Sequence, residues 1–208
     1  MRILHRPFQL IRENLGAYLV MNAIGYGLFI IGLVAGVIFP ELNTANVEGL
    51  NDDGTADQVL ELITKPWMFA LVIFLVNVFT VALPIITLPS LVVPFIGIPL
   101  FAYKAFDIGV TLAPVPGGPG LHYQIPHSVT VVIEFQAYVL VMFGAYLLAM
   151  ALLRPHTVGE ETRLRGYLRG LQRFGWIWIP ALALFVIGAV YEALSLSYLV
   201  SWLAGAMR

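Results

Sequence analysis

The sequence predicts an all-α, polytopic transmembrane bundle of about five spans, and three observations predict it. Hydrophobic residues make up 60% of the 208 and charged residues only 11%, with a mean hydropathy of +0.88. A soluble domain carries about 25% charged residues, so a chain this apolar lacks the polar surface to cover its own core and needs lipid as solvent. Apolar windows of roughly 20 residues, the length that crosses a ~30 Å hydrocarbon layer as helix, recur about five times. Arginine collects in some of the segments between windows and is missing from others, as in proteins with a fixed orientation in the membrane. Residues 1–208 therefore read as a single membrane domain, with membrane lipid as its main partner and no room for a sizeable soluble domain.

The first window is 15–39, preceded by Arg2, His5, Arg6 and Arg12. It is too long for the apolar core of a signal peptide, and no small-residue cleavage site stands before Pro40 and Glu41, so it is expected to stay as the first span. An acidic loop follows at 41–65, holding Glu41, Glu48, Asp52, Asp53, Asp57 and Glu61. Within it Asn51-Asp52-Asp53-Gly54 is a turn signal, and a short helix is expected over Gln58–Ile63 with Asp57 at its start. The second window is 66–83 and the third 85–104, with Pro84 between them. Pro89, Pro94 and Pro99 recur through the third, each removing a backbone donor, so this span is expected to be proline-broken and sheltered inside the bundle. The two windows could also form one re-entrant hairpin. Pro114-Val115-Pro116-Gly117-Gly118-Pro119-Gly120 cannot be regular helix and makes 112–126 a loop. The fourth window is 128–153. The linker 154–173 carries Arg154, Arg163, Arg165, Arg169 and Arg173 beside Glu160 and Glu161. The fifth window is 176–203, with Tyr191, Tyr198 and Trp202 toward its far end, where amphipathic rings favour the interface.

Five spans put the termini on opposite sides. Eight basic residues (Arg2, Arg6, Arg12, Arg154, Arg163, Arg165, Arg169, Arg173) fall with the N-terminus and the 154–173 linker, against three (Lys65, Lys104, Arg208) on the other side. The positive-inside rule then predicts a multi-pass protein of the cell membrane with its N-terminus in the cytoplasm, the acidic and Pro/Gly loops lying outside. Between Arg163 and Arg173 the arginines alternate with Leu164, Tyr167, Leu168 and Leu171, and Phe174 follows. That pattern suggests an amphipathic helix lying on an anionic inner leaflet, with Arg163, Arg165, Arg169 and Arg173 as surface-binding groups.

Polar side chains at membrane depth are costly and mark either helix packing or function. Asn22 falls in the first window, Asn77 in the second, Glu134 and Gln136 in the fourth and Glu192 in the fifth. His127 and Glu134 are seven residues apart and share a helix face, which predicts a His127–Glu134 polar line toward the bundle interior. Gly32 and Gly36 form a GxxxG motif through which a second helix, or a second copy of the chain in a homo-oligomer, could approach closely.

Several chemistries find no support. The chain has no cysteine, which removes disulfides, thiolate zinc sites, iron–sulfur clusters and cysteine nucleophiles. A net charge of −1 argues against a nucleic-acid partner. His122 and His127 are separated by Pro126 and lack an HExxH context, so no metal is expected. Glu160 to Arg165 matches the EExxxR pattern of CAAX-processing membrane proteases, but no histidine follows His156 and the match lies in a charged linker. No Ser/His/Asp arrangement or phosphate-cradling glycine loop is present, so neither an enzyme nor a cofactor is expected.

The stretch from Asn77 to Leu153 resembles the stage II sporulation protein M family. The residues that carry the likeness are Val76-Asn77-Val78-Phe79-Thr80-Val81-Ala82-Leu83, then Gly97-Ile98-Pro99-Leu100-Phe101 through Gly109, then Ile125-Pro126-His127-Ser128 with Glu134 and Phe143-Gly144-Ala145-Tyr146. Asn77 stands alone where the family pairs two asparagines. Ser128 replaces its Gly after His, and Glu134 lies further from His127 than its spacing. The resemblance implies a non-enzymatic membrane scaffold that gathers other membrane or envelope proteins. The proline-broken third span beside His127 and Glu134 supports a different expectation, a transporter's membrane subunit with a polar path there, such as an exporter working with an ATPase subunit.

Overall fold

The computed structural model describes residues 2–52, 61–116, 121–200 and 202. Among these the chain forms helices α1 (Arg2–Glu13), α2 (Leu15–Ile38), α3 (Pro40–Asp52), α4 (Pro66–Val92), α5 (Gly97–Thr111), α6 (Leu121–Leu153) and α7 (Arg163–Leu199), and no strand. Four of them, α2, α4, α6 and α7, are long and apolar enough to cross a membrane.

The 66–83 and 85–104 windows divide elsewhere than at Pro84. Helix α4 runs through this proline to Val92, with wider π-type turns over Asn77–Thr87. A π turn relaxes the ladder where proline has no N–H to offer, so the helix bends its hydrogen bonding without ending. The break comes instead at 93–96, where Phe95 adopts φ 66°. That left-handed conformation is rare for a large side chain. The link is held by Ser90 Oγ, which accepts from the Gly97 N–H at 3.1 Å. The expected third span is therefore split: its first half finishes α4 and its second half begins α5. Pro99 falls in the first turn of α5, where its missing donor costs little. With 15 residues, α5 is about 22 Å long.

The 41–65 loop is also largely re-read. Helix α3 covers Pro40–Asp52, because Asn43 and Asn46 give it polar anchors on the end of α5. Asn43 donates to the Val110 and Thr111 carbonyls at 3.0 and 2.9 Å, and Asn46 to Asp107 Oδ1 and Thr111 Oγ1, each at 3.0 Å. These carbonyls sit at the last turn of α5, where the helix supplies few donors of its own; the Val110 carbonyl also accepts from the Ala113 N–H at 3.2 Å. Asp53, Gly54, Asp57 and the first residues of the expected 58–63 helix lie outside the described residues. Helix α6 starts at Leu121 and takes the last part of the 112–126 loop; Gly117 to Gly120 lie outside the described residues, as does the His122 side chain.

Helix α6 is the axis of the fold: 72% of its most apolar stretch is buried inside the protein, against 22% for α2 and 33% for α4 and α7. Its partner α7 runs antiparallel, with Gly144 against Phe174 and Gly170 against Leu148 and Ala151. Helix α4 runs antiparallel to α7, Tyr167 donating to the Leu91 carbonyl at one end (3.1 Å) and Ser197 to the Ile63 carbonyl at the other (2.7 Å). Helix α2 covers the opposite flank of α6, with Gly25 on Val139 and Met142. The core between them holds Phe101, Phe135, Tyr138, Phe143, Phe174 and Phe185, all buried. Outward-facing Trp67, Leu71, Val92, Ile38 and Val186 present the apolar surface that lipid would cover.

The Gly32–Gly36 motif is filled from within the chain. Helix α5 runs parallel to α2 and lays Phe106, Gly109, Val110 and Ala113 against the two glycines, while Gly109 in turn faces the Phe29 carbonyl and the Leu33 nitrogen. Residues 97, 101, 105 and 109 make a buried four-residue stripe; Leu100 and Tyr103 face out. So α5 is sheltered on one side only, and the surface expected to serve a second copy is occupied.

The arginine stretch is not a separate helix lying on a leaflet. It forms the first turns of α7, continuous with the apolar part, and Gly166 and Gly170 pack it onto the last turns of α6. At 37 residues α7 is about 55 Å long, well beyond the ~30 Å thickness of a hydrocarbon layer. Arg163, Arg165 and Arg169 are exposed in its first turns, and Arg173 is half-buried.

Candidate functional site

Asn77, His127, Glu134 and Glu192 gather on one seam between α4, α6 and α7. On α6 the positions 127, 130, 134 and 138 recur at spacings of three and four, so His127, Thr130, Glu134 and Tyr138 line one face. On α7 Gly188, Glu192 and Ser195 do the same. Asn77 enters from α4, at the first residue of its π segment. Ser195 likewise opens the short π segment that ends α7. Both departures from α-helical hydrogen bonding thus start on this seam, and π turns often mark functional positions.

Asn77 sits at the centre of the deeper half. Its amide Nδ2 donates to Glu134 Oε1 at 2.6 Å, and its Oδ1 accepts from the Tyr138 hydroxyl at 2.6 Å. One asparagine therefore ties α4 to two successive turns of α6. Gly188 makes room for the Glu134 side chain: a Cβ at 188 would stand 2.8 Å from Glu134 Cγ. Tyr138 is wedged between Phe101 (4.8 Å) and Phe185 (5.0 Å), which fixes the hydroxyl that reaches Asn77.

The outer half holds His127 and Glu192. His127 Nδ1 lies 3.6 Å from Glu192 Oε1, both side chains 16% exposed, and Tyr123 stacks on the imidazole at 5.3 Å. Three buried side-chain atoms lack a hydrogen-bond partner among the described residues: His127 Nδ1, Thr130 Oγ1 and Ser195 Oγ. All three fall on this seam.

The structure thus brings together Asn77 and Glu134, and places His127 on the same face of α6. The direct neighbour of His127 is Glu192 rather than Glu134, because α7 crosses α6 at that level. Gln136 belongs elsewhere. It points to α2, donating to the Tyr18 hydroxyl at 2.6 Å and accepting from Tyr26 at 3.4 Å. Tyr26 also donates to the Val132 carbonyl at 2.9 Å. This second network pins α2 to α6 and is a packing device. Asn22 donates to the Tyr18 carbonyl of its own helix (2.8 Å) and joins nothing across the bundle. Tyr138 and Ser195 escaped the sequence reading, since Tyr and Ser are unremarkable in an apolar helix; their spacing to Glu134 and Glu192 was the available signal.

Two carboxyl groups, an imidazole, an amide and a phenol within a few turns of one seam can hold and pass a proton, or coordinate a small cation with oxygen ligands. No family model, curated protein or solved structure matches the chain.

Proposed function

We propose that the chain is a multi-pass protein of the cell membrane, with five passes and a cytoplasmic N-terminus, and that it is the membrane subunit of a transporter whose polar path follows the His127–Glu192–Glu134–Asn77 seam. The observation that carries this reading is the convergence of two carboxylates from different helices on a seam with three unpartnered buried polar atoms. Carboxyl groups at membrane depth are expensive and mark ion and proton routes, and buried polar groups without partners are equally uncommon. The π segments beside the seam add the irregular backbone that membrane proteins tolerate where a cavity or binding site shelters it.

The test is flux in proteoliposomes. Wild type is expected to pass protons or a monovalent cation above the rate of empty vesicles. Glu134→Gln and Glu192→Gln are expected to lower that flux at least about a hundredfold, the low end of the scale for a positioned proton-transfer group. Asn22→Leu, at a residue whose hydrogen bond stays within its own helix, is expected to leave it unchanged. Wild-type flux equal to that of empty vesicles would sink the transport reading.

The topology rests on the alternation of α2, α4, α5, α6 and α7. What supports it is that α1 and the arginine-bearing start of α7 meet at one end of the bundle; in this reading α5, which rides along α2, is the fifth pass. Because the chain has no cysteine, single-cysteine variants report it cleanly. Glu41→Cys is expected to react with an impermeant maleimide on intact cells, and His156→Cys only after permeabilisation. Both positions are exposed. The opposite pattern would place the N-terminus outside.

A scaffold is the second reading, favoured by the projecting end of α7. Leu164 and Leu168 stand 71% and 57% exposed among its arginines, beyond the depth that lipid covers. The resemblance to the stage II sporulation protein M family supports the same reading, with other membrane or envelope proteins as partners.

A further inference from the structure

The transport seam lies at one end of the bundle; a separate cleft lies at the other. It occupies about 330 Å³ between α1, the 154–162 linker and the first turns of α7. Arg6, Gln9, Leu10 and Glu13 line it from α1, and Arg169, Gln172, Arg173 and Trp176 from α7, with Val158 closing one side. The volume is at the small end of ligand-binding pockets.

Three features of the cleft point to an anionic ligand. Its lining carries three guanidinium groups against one carboxylate. Glu13 accepts from Gln9 at 2.8 Å, and Arg169 is engaged with Gln172 at 3.1 Å and Glu160 at 4.0 Å. Arg6 and Arg173 meet no carboxylate within ion-pair distance among the described residues, so two forked donors face one small volume unneutralised. Such forks match the paired oxygens of a phosphate.

The position completes the argument. The apolar part of α2 begins at Leu15, two residues after Glu13, and that of α7 at Trp176, which itself lines the cleft. The cleft is therefore at the level of lipid headgroups, where tryptophan anchors helices. Helix α1 is seated there by Pro7 and Leu10, both buried, while Phe8 is 62% exposed. A helix docked along the interface and an arginine-bearing helix end form the two walls of a basic pocket, a recurrent arrangement for acidic lipid headgroups.

We propose that this cleft binds a single phosphate ester through Arg6 and Arg173, presented by an acidic lipid headgroup or by a soluble phosphorylated molecule. Native mass spectrometry of the full chain in mild detergent, titrated with phosphatidylglycerol, phosphatidylcholine or inorganic phosphate, tests it. Phosphatidylglycerol is expected to give a one-to-one adduct at least about tenfold tighter than phosphatidylcholine, and Arg6→Ala or Arg173→Ala to weaken it about tenfold each, the scale of one charge-assisted pair. Arg163→Ala plus Arg165→Ala removes twice the charge of either cleft variant, outside the cleft, and is expected to leave the adduct intact. Inorganic phosphate binding without a lipid adduct, lost in the same two cleft variants, would assign the site to a soluble ligand. An adduct weakened equally by the Arg163/Arg165 pair, or by none of the variants, would overturn the proposal. Elution and melting profiles matching wild type establish that each variant is folded.

Discussion

Replacing Gly109 with leucine is expected to be the most damaging single change in the membrane core, costing about 3 kcal/mol or more in unfolding free energy. Gly109 meets Gly32, and Val110 and Ala113 meet Gly36, where α5 and α2 touch backbone to backbone. A side chain at 109 would run into the Phe29 carbonyl and the Leu33 nitrogen of α2. A backbone cannot swing aside as the tip of a leucine or methionine can, so the helices must separate. Separation would also pull α5 away from Asn43 and Asn46, removing the side-chain donors at its C-terminal end. Thermal unfolding in detergent measures the effect. Gly27→Leu is the control, because nothing lies within 4 Å of a Cβ there. Its expected cost is a few tenths of a kcal/mol, and equal losses in the two variants would refute the close α2–α5 contact.

Asn77→Leu is expected to cost about 2 kcal/mol, the next largest effect. Leucine fills a similar volume but removes both hydrogen bonds of the α4–α6 tie, leaving the Glu134 carboxyl and the Tyr138 hydroxyl facing an apolar side chain. Glu134→Gln keeps an oxygen that can accept from Asn77, so its stability is expected to stay within about 1 kcal/mol of wild type even where flux is lost. That contrast separates the two roles of the site. If Glu134→Gln unfolds as readily as Asn77→Leu, the carboxyl acts as a packing group and the path through the seam fails with it. A double variant, Asn77→Leu with Glu134→Leu, is expected to recover part of the loss, since only the Tyr138 hydroxyl is then left without its partner.

The site was partly legible because intramembrane polar residues are few. Asn77, His127 and Glu134 stand out in apolar runs, and the seven-residue spacing of His127 and Glu134 puts them on one face whatever surrounds them. The spacing says nothing about which carboxylate approaches from another helix, and the neighbour of His127 proved to be Glu192. Gln136 is two residues from Glu134 and therefore some 200° around the helix, which sends it to α2. The same logic explains the arginine stretch. Its alternation of arginine and leucine fits a helix in the membrane plane as well as one projecting from it, and only Gly166 and Gly170 packing on α6 decides between them.

Composition and hydropathy alone determined that the chain is helical and that most of its surface is apolar, because those properties depend on how many polar groups exist and how far apart they lie. They also located α2, α6 and the apolar part of α7, where one uninterrupted run specifies one helix. The tertiary structure decided the rest: that α4 passes through Pro84 and ends at Val92, that α3 is a helix, that the Gly32–Gly36 groove is filled by α5 of the same chain, and that Glu192 joins the seam. Each of these turns on which helices become neighbours, and neighbours far apart in sequence are chosen by packing and hydrogen-bond partners that no local pattern encodes.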